Sequence, residues 1–136
     1  MSKSYGNAIN IADDPEEIWE KLRTMVTDTA RERRSDPGNP DKCPVWDLHK
    51  AFNHDMEQRA YIDKGCRTAG IGCIECKQAL YSHLMAILEP IQSRRRAFEA
   101  NEEDLLEVLK KGAMKAEKVS EVTIEEVIKA IGFISR

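Results

Sequence analysis

From Asp14 to the C-terminus, apolar residues recur at the three- and four-residue spacing of amphipathic helices, and no segment alternates long enough for a half-buried strand. That periodicity confines the chain to an all-α fold of about five to six helices. The first helix starts after Asp14, with Asp14 in the N-cap position, Pro15 at the first helical position, and Glu16 and Glu17 against the positive helix end. Ile18, Trp19, Leu22, Met25 and Val26 share one face and predict core packing. Residues 28–44 are polar and rich in breakers, among them Pro37, Gly38 and Pro40, and read as a long connection. Short helices are expected at roughly 45–53 and 55–65, then a tight loop through Gly70 and Gly72, then a long helix from about Cys73 to Ala100. Its apolar stripe is Leu80, Leu84, Ile87, Leu88 and Ile91. Pro90 lacks a backbone donor and predicts a kink or break. Asn101 is placed to cap a further helix. Thr123 with Glu126 forms a capping-box pattern for a last one, to be buried by Val127, Ile128, Ile131 and Ile134.

The four cysteines are Cys43, Cys66, Cys73 and Cys76, in a C-x22-C-x6-C-x2-C arrangement. Disulfides need an oxidising compartment, and the N-terminus has no apolar run of the kind a secretory signal needs, so the expected setting is cytoplasmic. Cys73 and Cys76 lie three residues apart on one helical face, where both sulfurs reach one centre. Gly70 and Gly72 allow a close backbone approach. Lys42, Arg67 and Lys77 each adjoin a cysteine and are expected to lower thiol pKa values and offset anionic charge. Four thiolates suit zinc or an iron–sulfur cluster. Zinc sites more often use two close pairs, and here only one exists. The expected ligands are therefore those of a cluster, with zinc as the next alternative and four buried, inert cysteines as the last.

A second motif opens the chain: Met1-Ser2-Lys3-Ser4, then Tyr5-Gly6-Asn7. One ammonium on a serine-flanked loop suits a developing pyrophosphate charge, with hydroxyls to bond phosphate oxygens. This loop resembles the Lys-Met-Ser-Lys-Ser signature of class I aminoacyl-tRNA synthetases, without its leading lysine. The cysteine spacing is similar to that of the bacterial tryptophanyl-tRNA synthetases that carry a [4Fe–4S] cluster beside the anticodon-binding region. The two motifs lie the expected distance apart, and the resemblance covers essentially the whole chain.

The resemblance implies that residues 1–13 end a catalytic domain and that 14–136 form a helical tRNA anticodon-binding domain. It implies Lys3 as the catalytic residue, Ser2, Lys3 and Ser4 as ATP-phosphate contacts, and Cys43, Cys66, Cys73 and Cys76 as ligands of the [4Fe–4S] cluster. The partners it implies are ATP, tryptophan and tRNA(Trp), within a homodimeric parent that forms tryptophanyl-tRNA. The chain alone is expected to be inactive, because the family's nucleotide fold is not in it; the alternative readings are a free-standing metal-stabilised helical nucleic-acid-binding module and a part of another class I aminoacyl-tRNA synthetase.

Proteins dedicated to duplex DNA are usually basic, and the net charge here is −3, so nucleic-acid contact would come from local patches. Two arginine runs are available, Arg31, Arg33 and Arg34 before Cys43, and Arg94, Arg95 and Arg96 in the long helix; they either hold tRNA phosphates or face solvent. No stretch of about 18 apolar residues exists, so no membrane span is expected. His83 is expected in the core. His49 and His54 fall in the cysteine-rich region, and Trp46 and Phe52 are expected to pack around its loop.

Overall fold

A computed structural model describes residues 3–132. Ser2, Ile134 and the side chain of Lys3 fall outside what it describes. Among the described residues there are five α-helices and two single 3-10 turns, with no strand, as the periodicity predicts. The helices are α1 (Pro15–Thr24), α2 (Pro44–Phe52), α3 (Met56–Arg67), α4 (Cys73–Ala100) and α5 (Glu102–Ile131). The 3-10 turns are Lys3–Tyr5 and Pro40–Lys42. The chain divides into two compact units, Met1–Gln92 and Ser93–Arg136.

In the first unit the core joins three helices. Ile18 and Leu22 of α1, Val45 of α2, and Leu80, Leu84 and Leu88 of α4 form one buried cluster, with Trp19, Met25, Leu48 and Phe52 packed against it. Ile62 of α3 is also fully buried. Trp19 meets Tyr81 edge-to-face, ring centroids 5.7 Å apart, in the favoured aromatic geometry.

Polar groups on α4 hold the segment before and through α1 at three points. Gln92 Nε2 donates to the carbonyls of Ile11 and Asp13, both at 3.0 Å. Tyr81 Oη donates to the Pro15 carbonyl at 3.3 Å. Lys77 Nζ donates to the Arg23 and Met25 carbonyls at 2.7 and 2.6 Å, covering orphan acceptors at the C-terminal end of α1. Lys77 is 4% exposed, so its charge is held inside the unit by those carbonyls.

Asp13 closes the turn before α1. Its carboxylate accepts from Lys21 Nζ, from the Asn10 backbone N–H at 2.7 Å and from Asn10 Nδ2 at 3.0 Å. Burial works to raise its pKa, but the Lys21 and Asn10 bonds outweigh it and carry the carboxyl from 3.8 to about 2. The folded value lies below the unfolded one, so the contribution to stability is complete above about pH 4 and fades as pH falls to about 2. Asp13→Asn should therefore lower the urea midpoint at neutral pH, and the gap from wild type should close as pH falls through that window. A gap that stays constant with pH would contradict the assignment.

Three expectations are corrected. α4 runs through Pro90 without a break. The buried Leu88 and Gln92 anchor the helix on either side of the proline, and the missing donor costs one hydrogen bond rather than the helix. Thr123 does not start a new helix: α5 is continuous, and Thr123 Oγ1 donates back to the Val119 carbonyl at 3.2 Å. No glycine or proline lies between Ala113 and Val122 to break the helix there, and a mid-helix threonine commonly bonds the preceding turn. Third, α5 buries none of its residues, and Val127 and Ile131 stay exposed.

Candidate functional site

The four cysteines come from three places in the first unit. Cys43 follows the Pro40–Lys42 turn and precedes α2, Cys66 lies in the last turn of α3, and Cys73 and Cys76 occupy the first turn of α4. All four are free and half-buried. They are electrostatic neighbours: the Cys76 thiol is pushed up to about 12, mainly by burial, with Cys43, Cys66 and Cys73 adding to the rise and Lys77 opposing it. Burial also raises Cys66; Arg31 opposes this, while Cys43 and Cys73 add to it. Without a metal these two thiols are neutral at physiological pH, so ligation would release protons and depend on pH.

The connection before Cys43 is folded against α3. Asp28 accepts from the Ala30 N–H at 3.0 Å and the Asn39 N–H at 2.8 Å, which closes residues 28–39 into a compact loop. Gly38 N–H donates to the Cys66 carbonyl at 2.9 Å. A Cβ on Gly38 would sit 2.7 Å from Cys66 Sγ and 3.2 Å from Arg31 Cδ. Only glycine lets the loop come this near the sulfur. Gly38→Ala should displace Cys66 and lower both stability and metal loading, read as the urea midpoint and the bound metal per chain. Wild-type values for both would show that the contact relaxes freely.

Arg31 reaches into the thiol cluster. Its Nη1 lies 3.8 Å from Cys73 Sγ, and its Nη2 donates to the Arg34 and Ile71 carbonyls, both at 2.8 Å. Its Nε is buried with no hydrogen-bond partner among the described residues. A buried guanidinium nitrogen lacking an acceptor is costly unless a group not made of protein satisfies it. A cavity of about 410 Å³ adjoins this corner, lined in part by Arg31, Arg34, Cys73 and Glu75.

On the opposite side, His49 is fully buried, with Nε2 3.0 Å from the Cys76 carbonyl and 3.4 Å from Cys76 Sγ. Burial lowers its pKa, the Cys76 carbonyl bond works against that, and electrostatic interaction with His83 and Arg59 adds to the lowering. Trp46 lies against His49, ring centroids 5.9 Å apart, while Phe52 packs on the core.

Two of the basic neighbours expected to assist the thiols, Arg67 and Lys77, make their direct bonds elsewhere. Arg67 pairs with Asp41 at 2.8 Å and Asp63 at 3.1 Å. Lys77 bonds the α1 carbonyls; its charge works to lower the Cys76 thiol pKa as expected, but at Cys66 and Cys76 burial outweighs the opposing charges and the net shift is upward. The close-approach glycine is Gly38; a Cβ at Gly72 would meet Glu75 rather than a sulfur. His83 is half-buried and lies 2.7 Å from Gln58 Oε1. Arg31 and Gly38 were hidden in a segment whose composition marks a loop without saying which way it turns.

The chemistry of the donor set suits a thiolate-held metal group: Cys76 feels the other three thiols and Cys66 feels Cys43 and Cys73, a cationic side chain has an unsatisfied buried nitrogen, and a glycine lies beside one sulfur. Among the described residues, no three His, Cys, Asp or Glu side chains are drawn together as for a single ion. At the other motif, Lys3–Tyr5 forms a 3-10 turn and Gly6 takes a left-handed φ of +64°, a turn conformation that glycine adopts without strain. Among the described residues no helix is long and apolar enough to cross a membrane.

A lysine–serine loop leading into an all-helical unit defines a class, and comparison with known proteins identifies it. The family described as tRNA synthetases class I (W and Y) matches residues 1–89, and the chain belongs to that family. Tryptophan–tRNA ligases of Ralstonia nicotianae and Aquifex aeolicus are 43% and 44% identical over 97% and 96% of this chain, and each is covered over 33% of its own length. The ligase of Thermotoga maritima is 41% identical over 98% of this chain and 41% of its own length. The chain thus spans a third to two-fifths of the curated relatives it matches. A crystal structure of tryptophanyl-tRNA synthetase from Campylobacter jejuni shares the fold, with a TM-score of 0.83 at 24% identity, over 98% of this chain and 42% of that one.

Proposed function

We propose that this chain is the tRNA-recognition part of a tryptophan–tRNA ligase, whose whole joins tryptophan to tRNA(Trp) at the expense of ATP. The observation that carries this reading is the run of relatives with that name along nearly the full chain, through both the signature loop and the helices. In the whole enzyme, a homodimer, Lys3 neutralises the leaving pyrophosphate while Ser2 and Ser4 bond phosphate oxygens. The helices read the tRNA, with arginines on its phosphates.

Cys43, Cys66, Cys73 and Cys76 hold a [4Fe–4S] cluster. One close pair with two isolated cysteines supports this over zinc, while the shared electrostatics of the thiols and the unsatisfied Arg31 Nε suit an anionic thiolate-held group of either kind. When bound, the group supplies an anionic cross-link among the thiolates. The chain's own contribution is to bring three segments together: Gly38 admits the loop to Cys66, Arg31 offsets negative charge, and α4 carries two ligands on one turn. The tRNA-reading surface then keeps one shape.

A tRNA(Trp) transcript should bind the chain weakly, with affinity falling as salt rises. Arg33→Glu and Arg95→Glu should weaken binding and flatten the salt dependence by about one unit of slope each, whereas Lys118→Glu should not. Equal behaviour of all three would reduce the arginine runs to solvated surface. ATP–pyrophosphate exchange with tryptophan should stay at background for the chain alone, and clear exchange would overturn its assignment as a tRNA-recognition part.

A further inference from the structure

We infer that His49 is a positioning residue for the metal group, donating an Nε2–H hydrogen bond to Cys76 from a tautomer locked by a buried amide network. The inference rests on the cysteine site holding a metal group, as proposed above.

The tautomer follows from the backbone outward. Asp55 N–H can only donate, and it donates to the Asn53 side chain at 2.9 Å, so the atom facing it is the amide oxygen. Asn53 Nδ2 therefore faces the other way, toward Gln58 Oε1 at 2.9 Å and His49 Nδ1 at 3.4 Å. Nδ1 is left as an acceptor, which puts the imidazole proton on Nε2. That proton has two acceptors, the Cys76 carbonyl at 3.0 Å and Cys76 Sγ at 3.4 Å. The network continues to His83, whose Nε2 lies 2.7 Å from the same Gln58 oxygen.

His49 and Asn53 are both 0% exposed, so no water competes for these bonds. Leaving two such polar side chains in a core is costly unless their geometry is used. Outer partners of metal ligands orient the ligand and tune the metal. An N–H on a sulfur ligand favours the more negative state of the group, so removing it should disfavour reduction. The bond to the Cys76 carbonyl also fixes the first turn of α4, which carries Cys73 as well.

The test uses the chain purified anaerobically, with dithionite as reductant and redox dyes as reporters. His49→Leu should reduce about tenfold less favourably than wild type, a shift of about 59 mV for one electron. His49→Gln, which keeps an N–H donor, should recover part of that shift, and His54→Gln should match wild type. Nitrogen-15 NMR of the wild-type ring should show Nε2 protonated and Nδ1 bare, a readout that stands even if His49→Leu fails to fold. An iron-containing chain with the Nδ1–H tautomer, or with an unchanged potential in His49→Leu, would overturn the role of His49 and leave the cluster standing. A wild-type chain that holds zinc would overturn the cluster instead. The role of His49 would then be decided by zinc loss to a chelator, about tenfold faster in His49→Leu if the role holds and unchanged if it does not. A chain that takes up neither metal overturns both.

Discussion

Cys66→Ser is expected to bleach the chain and lower its stability by several kcal/mol. Cys66 is the one cysteine of the proposed ligand set on α3, and the loop that precedes Cys43 is bonded to the Cys66 carbonyl through Gly38 N–H at 2.9 Å. If the proposed ligation holds, losing this thiolate would disconnect α3 from the start of α4 and remove metal-binding energy that is also folding energy. Serine keeps the volume but is a poor ligand for iron or zinc, so the loss reads as chemistry rather than packing. Anaerobic protein should show reduced visible absorption together with a lower urea midpoint. An unchanged midpoint with both Cys66→Ser and Cys73→Ser in place would mean that the thiols are inert.

The second large effect is expected at Lys77. Lys77→Met keeps the stem that packs against the core and removes the ammonium that covers the Arg23 and Met25 carbonyls. Two acceptors would be left without their donor in a site where Lys77 is only 4% exposed, at a cost of about 1–3 kcal/mol. The urea midpoint should fall with the slope unchanged, as for a pure stability change. Iron content should be retained, because the direct bonds of Lys77 go to α1 and its electrostatic effect on the Cys76 thiol is outweighed by burial. Loss of iron with an unchanged midpoint would reverse that assignment and return Lys77 to the role its position beside Cys76 suggests.

Lys77 also shows where the sequence stops being readable. Its place beside Cys76 predicts a charge partner for a thiol, yet the side chain reaches back to α1, more than 50 residues earlier. Arg67 departs in the same way, toward Asp41 and Asp63. Chain neighbours on a helix point in different directions, so adjacency says little about which group a long side chain meets. By contrast, the helices α1 to α4 follow from local signals: the Asp14-Pro15 start, the periodicity of Leu80, Leu84 and Leu88, and the pairing of Cys73 with Cys76 on one turn. Those signals need no tertiary contact to be read.

α5 and the thiol surroundings were less legible, for different reasons. The Thr123–Glu126 pattern is a capping box only where the preceding residues leave the helix, and Val119 to Val122 are all compatible with continuing it. Arg31 reads as one of a basic run suited to phosphate; its turn toward Cys73 depends on Asp28 closing the loop onto Asn39. Gly38 sits beside Pro37 and reads as an ordinary turn until the distance to Cys66 Sγ is known. The His49–Asn53 pair is visible as a four-residue helical spacing, but its meaning comes from Asp55 and Cys76 on either side.

The most direct test of this account is the metal content of the chain expressed and purified without oxygen. A site with four cysteine ligands of the iron–sulfur type predicts brown protein, broad visible absorption and about four iron atoms per chain. Colourless protein with about one zinc per chain would contradict the cluster while keeping the four thiols as ligands. Colourless protein with neither metal would contradict the ligation itself.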